Sequence, residues 1–282
     1  MRTLIFGCRG QLGRDLLRVF ERAGEAQGHD LPELDIADEV ALQPIVEQFG
    51  PDLLINAAAY TNVDGAEDDM AGAFLSNETG ARNVAELAAH HNIPVVYFST
   101  DYVFDGTKRT PYTPSDPLAP LGVYGKSKAA GEHATAVANP RHFILRTAWL
   151  YGPGGNNFVE KVLQAAASRP ELKVVEDEVG SPTHTLDLAE ATLALARTHA
   201  YGIYHAVNRG ACSRYEFARA FLEMGGVHTP VRPCASAEYP SRAERPLYSV
   251  LDPSALEAAS GYSMRPWREA LAHYLERRNG TG

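Results

Sequence analysis

The sequence is poor in the features that would settle its class at a glance. It has three cysteines, Cys8, Cys212 and Cys234, far apart and with no Cys-x-x-Cys spacing. That excludes a disulfide framework and a cysteine-type zinc site, and it fits a reducing cytoplasm. Ten histidines show no His-Glu-x-x-His or similar ligand spacing. His90 and His91 read as the exposed end of a helix, and no bound metal is expected. No long apolar run is present. Leu4-Ile5-Phe6 near the start is far too short for a signal peptide or a membrane span, so no membrane partner is expected. Positive charge is also in deficit, with 26 Lys and Arg against 35 Asp and Glu and a net charge of −9. With no basic run or patch, a nucleic-acid partner is excluded. No internal repeat or low-complexity segment occurs.

What remains is an ordinary globular composition, 45% hydrophobic and 22% charged, over 282 residues. That length suits one large domain or two modest ones. Residues 2–6 form a short apolar run ending in glycine, which reads as a buried parallel strand. Gly7-Cys8-Arg9-Gly10-Gln11-Leu12-Gly13 follows, then a helical pattern with Leu12, Leu16, Leu17, Val19 and Phe20 apolar. Strand, glycine turn and helix in that order form a variant of the dinucleotide fingerprint. Gly7, Gly10 and Gly13 allow a tight turn and close approach of a pyrophosphate, and the helix start at Gln11 and Leu12 offers N–H donors. Asp30 ends a weak second strand from residue 25, twenty residues after Gly10. There a Rossmann unit places the acid that bonds the adenosine ribose. Asp35-Ile36 is expected to open the next helix, with Asp35 either capping it or touching the adenine.

Further strands are expected at 51–56, running into Ala57-Ala58-Ala59, at 94–98, ending in Ser99-Thr100-Asp101, and at 142–146, ending in Thr147-Ala148-Trp149. A long helix spans roughly 74–91. Strands alternating with helices give an α/β, Rossmann-type, doubly wound parallel sheet. Ligands sit outside the carboxyl ends of such strands, and every polar or glycine-rich candidate falls there. Residues 1–150 form the dinucleotide-binding domain, joined by part of 184–208. Residues 151–282 form mainly a smaller, interleaved substrate domain, with short strands at 173–176 and 202–207. Its helices fall near 157–168, 186–197, 214–224 and 266–277. The proline-rich stretch 230–246 reads as extended loop.

One stretch carries proton chemistry. In a helix, Tyr124 and Lys128 of Tyr124-Gly125-Lys126-Ser127-Lys128 share a face. With 13 Tyr and 5 Lys in the chain, chance predicts about 0.2 such pairs. A phenol titrates near ~10 alone, and a neighbouring ammonium lowers it toward working pH.

Together these segments resemble an extended short-chain dehydrogenase/reductase, and more closely the dTDP-4-dehydrorhamnose reductase family. The resemblance covers nearly the whole chain. It rests on the glycine turn, Leu34-Asp35-Ile36, residues 55–64, Ser99-Thr100-Asp101-Tyr102-Val103-Phe104-Asp105-Gly106, the Tyr124–Lys128 stretch and Arg146-Thr147-Ala148-Trp149. Late in the chain come Gly180-Ser181-Pro182-Thr183 and Arg245-Pro246. It implies reduction of the C4 ketone of dTDP-4-dehydro-L-rhamnose with NADPH or NADH. Tyr124 would give the proton, Lys128 would tune it and bond the nicotinamide ribose, and Thr100 would hold the substrate oxygen. Ser99 has the same chemistry, but strand alternation lets only one of the two face the site, and the family motif selects Thr100. Asn77 matches an asparagine that holds a water or backbone group. Asp101, Tyr102 and Trp149 would meet the sugar, and Thr183 and Arg245 the nucleotide. Asp30 followed by Leu31, with no arginine directly after the acid, leans toward NADH. Some members carry Mg²⁺ at a dimer interface, so a homodimer stays open. Asp15 and Glu190 form no compact ligand set. The alternatives are a related nucleotide-sugar epimerase and a non-catalytic subunit like the regulatory subunits of methionine adenosyltransferase. Thr100, Tyr124 and Lys128 argue against the second.

Overall fold

The computed structural model describes residues 1–239 and 241–278. Its centre is a parallel sheet of six strands. They are β1 (Arg2–Phe6), β2 (Glu25–His29), β3 (Leu53–Asn56), β4 (Val95–Thr100), β5 (His142–Thr147) and β6 (Gly202–His205). The order across the sheet is β6-β5-β4-β3-β1-β2, every neighbouring pair being parallel. The chain reverses direction across the sheet between β1 and β3, which opens a crevice at their carboxyl ends.

Continuous apolar runs suit strands covered on both faces. Leu4, Ile5, Leu53, Leu54, Ile55, Ile144 and Leu145 are fully buried. On one face lie helices Gln11–Ala23 and Thr185–Ala196, through Leu16, Phe20, Leu188 and Leu195. On the other, helices Glu39–Phe49 and Ala81–His90 pack through Leu42, Val46, Val84 and Ala88. The weak β2 is an edge strand held by its register against β1, and Gly28 leaves room for the Cys8 side chain.

The second half has its own core, around Tyr151, Val159, Phe217, Phe221, Leu271 and Tyr274. Helices Phe158–Ser168, Arg214–Met224 and Trp267–Arg278 build it. The middle one starts with a Ser213–Glu216 capping box, a device worth about 1 kcal/mol. The stretch 184–208 leaves this half: its helix packs on Gln11–Ala23 and β6 completes the large sheet.

Three local expectations change. Val231–Cys234, inside the proline-rich stretch, is a strand paired in parallel with Leu172–Val175. Pro233 fits because a strand of a two-stranded sheet has an edge needing no N–H. Pro240 of the same stretch lies outside the described residues. The long helix expected over 74–91 begins at Met70 and contains a π-helical turn, Leu75–Gly80. Asp35 opens no helix: its carboxylate accepts the Ala37 amide at 2.9 Å, a local Asx turn, and Asp38 caps the helix from Glu39. No described helix is long and apolar enough to cross a membrane. Cys8, Cys212 and Cys234 are free thiols.

Candidate active site

The glycine turn closes the crevice at the end of β1. Gly7 has a φ of 81°, a left-handed backbone that glycine adopts without strain. A Cβ on Gly7 would strike the Ala58 amide, and one on Gly13 would strike the Gly7 carbonyl. The turn thus brings β1, the Ala57–Ala59 segment and the following helix into backbone contact. Gly10 caps that helix without a side-chain hydrogen bond, so no capping side chain closes off the amides of Gln11, Leu12 and Gly13. Their N–H groups and the helix dipole favour an anion such as a pyrophosphate. Gln11 also accepts the Asn157 amide at 2.9 Å, which ties the turn to the second half. Asp30 stands beside the turn and accepts the Arg9 and Leu31 amides at 2.7 and 2.8 Å. Ile36 is buried in the core, and its side chain leaves no room for a Cβ on Gly80. The turn, the alanines and Asp30 therefore fit a dinucleotide. Asp35, exposed, and the buried Ile36 lie on the segment just beyond.

Tyr124 and Lys128 share a face of helix Val123–Ala138, one turn apart. Asn77 anchors this helix. From the π-helical turn, its side chain accepts the Tyr60 amide at 2.9 Å and donates to the Tyr60 carbonyl at 3.1 Å and to Ser127 Oγ at 2.9 Å. Gly131 lets the helix approach, since a Cβ there would strike the Asn77 carbonyl and the Tyr97 hydroxyl. Asn77 therefore holds backbone and the Tyr124 helix together.

The ends of β4 divide the two hydroxyls. Ser99 donates to buried Glu132, which also receives a bidentate pair from Arg146 at 2.7 and 2.9 Å. Thr100 faces the other way. It lies against the Tyr124 phenol, donates to Asp101 Oδ1 at 3.0 Å and accepts the Tyr102 amide at 3.2 Å. Asp101 is buried and its other oxygen accepts Ser249 Oγ at 2.6 Å. Burial outweighs these hydrogen bonds and pushes its carboxyl up to about 6.

Burial raises the Tyr124 phenol above its ordinary value, and Thr100 pulls it part-way back. Lys128 was expected to do the lowering. Its ammonium instead lies 4.1 Å from the centre of the Tyr97 ring, and Thr100, Asp101 and Tyr102 are the groups that act on Tyr124. The reason is desolvation: burial pulls Lys128 down to about 7, with Glu132 pulling it back up. An amine near its neutral form exerts little field on a phenol.

Around this centre stand groups suited to a nucleotide sugar. Tyr102 packs edge-on against Tyr124, with centroids 5.8 Å apart. Trp149 has a φ of 48°, unusual for a bulky residue. One face of its ring is covered by Arg214, 3.5 Å from the centroid. Arg245 is paired with Asp64 at 2.8 Å and Arg214 with Glu178 at 3.6 Å, and both arginines act on Tyr102. Thr183 is fully buried and donates to the Ser181 carbonyl at 3.0 Å.

The whole arrangement has known counterparts. Residues 1–279 match the family described as RmlD substrate binding domain. The chain belongs to that family. It is 42% identical to the spore coat polysaccharide biosynthesis protein SpsK of Bacillus subtilis, over 99% of each protein. It is 40% identical to a dTDP-4-dehydrorhamnose reductase of Aggregatibacter actinomycetemcomitans, over 96% of this chain and 97% of that one. A crystal structure of dTDP-4-dehydrorhamnose reductase from Bacillus anthracis, in complex with NADP, superposes with a TM-score of 0.95. It is 36% identical and covers 98% of this chain and 99% of that one. The family match spans both halves of the chain.

Several neighbours of the site were missed from sequence. Glu132 follows Lys128 by four residues and Tyr124 by eight, so the helical period could have found it. Arg214, Ser249 and Asn157 arrive from distant segments and carry no local signal. Of the acids weighed for a metal, Asp15 is paired with Arg18 at 2.8 Å and hydrogen-bonded by Thr185 at 2.6 Å. Glu190 accepts the Tyr262 hydroxyl at 2.9 Å. His184, Asp187 and His273 present one ligand atom each within 4.8 Å of one another. The Arg265 guanidinium, 3.0 Å from Asp187, already supplies the positive charge there.

Proposed function

We propose that this chain reduces the C4 ketone of dTDP-4-dehydro-L-rhamnose to dTDP-L-rhamnose with NADH or NADPH, the last step of dTDP-rhamnose biosynthesis, in the cytoplasm. The observation that carries it is Thr100 against the Tyr124 phenol, with Lys128 one helical turn on, at the sheet edge that also bears the glycine turn, in a chain of this family. A regulatory subunit would have no need of that trio.

When bound, the reduced nicotinamide supplies the hydride that C4 receives. The chain's residues handle the oxygen. Burial keeps the Tyr124 phenol protonated at neutral pH, so the donor is loaded before substrate arrives. Thr100, held by the Tyr102 amide, would turn its hydroxyl from Asp101 to donate to the ketone oxygen and so orient that oxygen toward the phenol. As negative charge develops on the oxygen, the Tyr124 proton moves to it and a phenolate remains. Lys128, poised near neutrality one turn away, takes up a proton as that phenolate forms and supplies the balancing charge. Arg214 and Arg245 are placed to meet the diphosphate of the substrate, and Trp149 and Tyr102 to pack on the sugar.

The test is to mix the purified protein with the keto-sugar nucleotide and each reduced cofactor, and to follow nicotinamide oxidation and the rhamnose nucleotide formed. Stoichiometric oxidation with conversion is expected. No oxidation with either cofactor overturns the reading.

A further inference from the structure

Trp149 follows the end of β5, but its seat is built by the second half of the chain. Its φ of 48° is one that a bulky residue rarely takes. Such a backbone persists only where the surroundings over-determine it. Three neighbours do so here. The Trp149 carbonyl accepts the Thr183 amide at 3.3 Å. The Arg214 guanidinium covers one face of the ring, 3.5 Å from the centroid. Gly180 stands against the indole itself. A Cβ on Gly180 would come within 2.5, 2.7 and 2.8 Å of Cε2, Cζ2 and Nε1. Gly180 is not among the glycines with a left-handed backbone. Conformation therefore does not demand glycine at 180; the Trp149 ring does.

The seat is itself braced. Val179–Gly180 pairs in antiparallel register with Cys212–Ser213, Gly180 opposite Cys212. The next residue, Arg214, donates its amide to the Glu178 carbonyl at 3.2 Å. Its guanidinium lies 3.6 Å from the Glu178 carboxylate, with 16% and 13% of the two side chains exposed. One short ladder thus carries both the glycine and the arginine that touch the ring. A largely buried pair does not exchange partners freely, so the guanidinium is a fixed wall. Its planar group stacks on an aromatic face, which an ammonium cannot do. Trp149 is only partly buried, so the side that Arg214 leaves uncovered remains for a ligand.

We propose that Gly180 and Arg214 are positioning residues for the sugar that act through Trp149. The missing side chain at 180 and the guanidinium wall fix the height and tilt of the ring on which the sugar packs. The proposal rests on Trp149 as the sugar platform of the proposed reaction, while the seating of the ring can be read without any sugar.

The chain has two tryptophans, Trp149 and Trp267, so Trp267→Phe leaves Trp149 as the only indole emitter. In that background Gly180→Ala should shift the Trp149 emission. It should raise KM for the keto-sugar nucleotide by about tenfold or more, the cost of a misplaced contact. The Kd values of NADPH and of dTDP alone should move by less than about threefold, since neither carries the sugar. Arg214→Lys keeps the charge and loses the stack, and should give the same split between keto-sugar nucleotide and dTDP. Once Trp149→Ala has emptied the seat, adding Gly180→Ala should change KM by less than about twofold. If Gly180→Ala alone fails to fold, the same double variant should fold again. An unshifted emission with an unchanged KM overturns the proposal. So does an equal loss of dTDP, or a Gly180→Ala effect as large without the indole as with it. A shifted emission in a protein that reduces no keto-sugar would sink the proposed reaction while the seating of the ring holds.

Discussion

Two clusters of arginine and carboxylate lie on the same sheet edge and behave as opposites. One is Arg146, Glu132 and Ser99, with Lys128 one turn away, sealed behind the Tyr124 helix. The other is Arg9, Glu33 and Asp30, open to water at the glycine turn. The Arg146 and Glu132 side chains are 3% and 4% exposed, those of Arg9 and Glu33 55% and 59%. In the sealed cluster Arg146 and Glu132 are fixed on each other, because an unpaired charge there is strongly unfavourable. Such a cluster holds geometry and sets pKa values. In the open cluster partners exchange at little cost, so it can choose among anions. The first kind stiffens the frame behind Tyr124, and the second stays free to exchange partners with solvent ions.

The largest expected effect breaks the sealed side at its working end. Tyr124→Phe removes the proton donor and should lower kcat by about 10²–10⁴-fold, while the Kd for cofactor stays near wild type. A variant turning over at close to the normal rate rules Tyr124 out as the acid. Next comes the pair behind it. Glu132→Leu leaves Arg146 buried without a counter-charge and should cost about 3–5 kcal/mol in a urea unfolding series. Pairing it with Arg146→Met should restore most of that loss. If the single variant is as stable as the parent, the cluster is not dry in solution.

The smallest effect sharpens the contrast through pH. Lys128 sits at about 7 against an ordinary 10.5, so between those values the folded chain binds fewer protons than the unfolded one. Stability therefore rises with pH across that window, and the cost of burying the lysine is complete only below it. Lys128→Met should raise Tm more at about pH 6 than at about pH 10. An equal gain at both values would mean that the lysine titrates normally. No such pH signature is expected from the open Arg9–Glu33 pair.

Much of this was legible in the chain. The apolar runs of β1, β3, β4 and β5 announced buried strands because burial on both faces removes the polar alternation. The glycine turn announced itself because a left-handed turn and tight backbone contact need glycine at Gly7 and Gly13. The Tyr124–Lys128 pair followed from helical period, while strand alternation narrowed the hydroxyl to Ser99 or Thr100 and only the family resemblance chose Thr100. The strand at Val231–Cys234 was hidden because an edge strand tolerates the proline that reads as loop. The π-helical turn was hidden because nothing in its local pattern marks it, while the partners of Asn77 within it, Tyr60 and Ser127, come from elsewhere in the chain.

The sequence by itself determined the class of fold, the strand ends at which the candidate residues gather and the Tyr124–Lys128 spacing, since those depend on local period and on turns that only certain residues can make. Only the tertiary structure decided which charges are dry and which are wet. That choice placed Lys128 over the Tyr97 ring, sent Ser99 to Glu132, and turned the Arg9 side chain to Glu33. Burial and long-range partners set those energies, and neither can be read from neighbours along the chain.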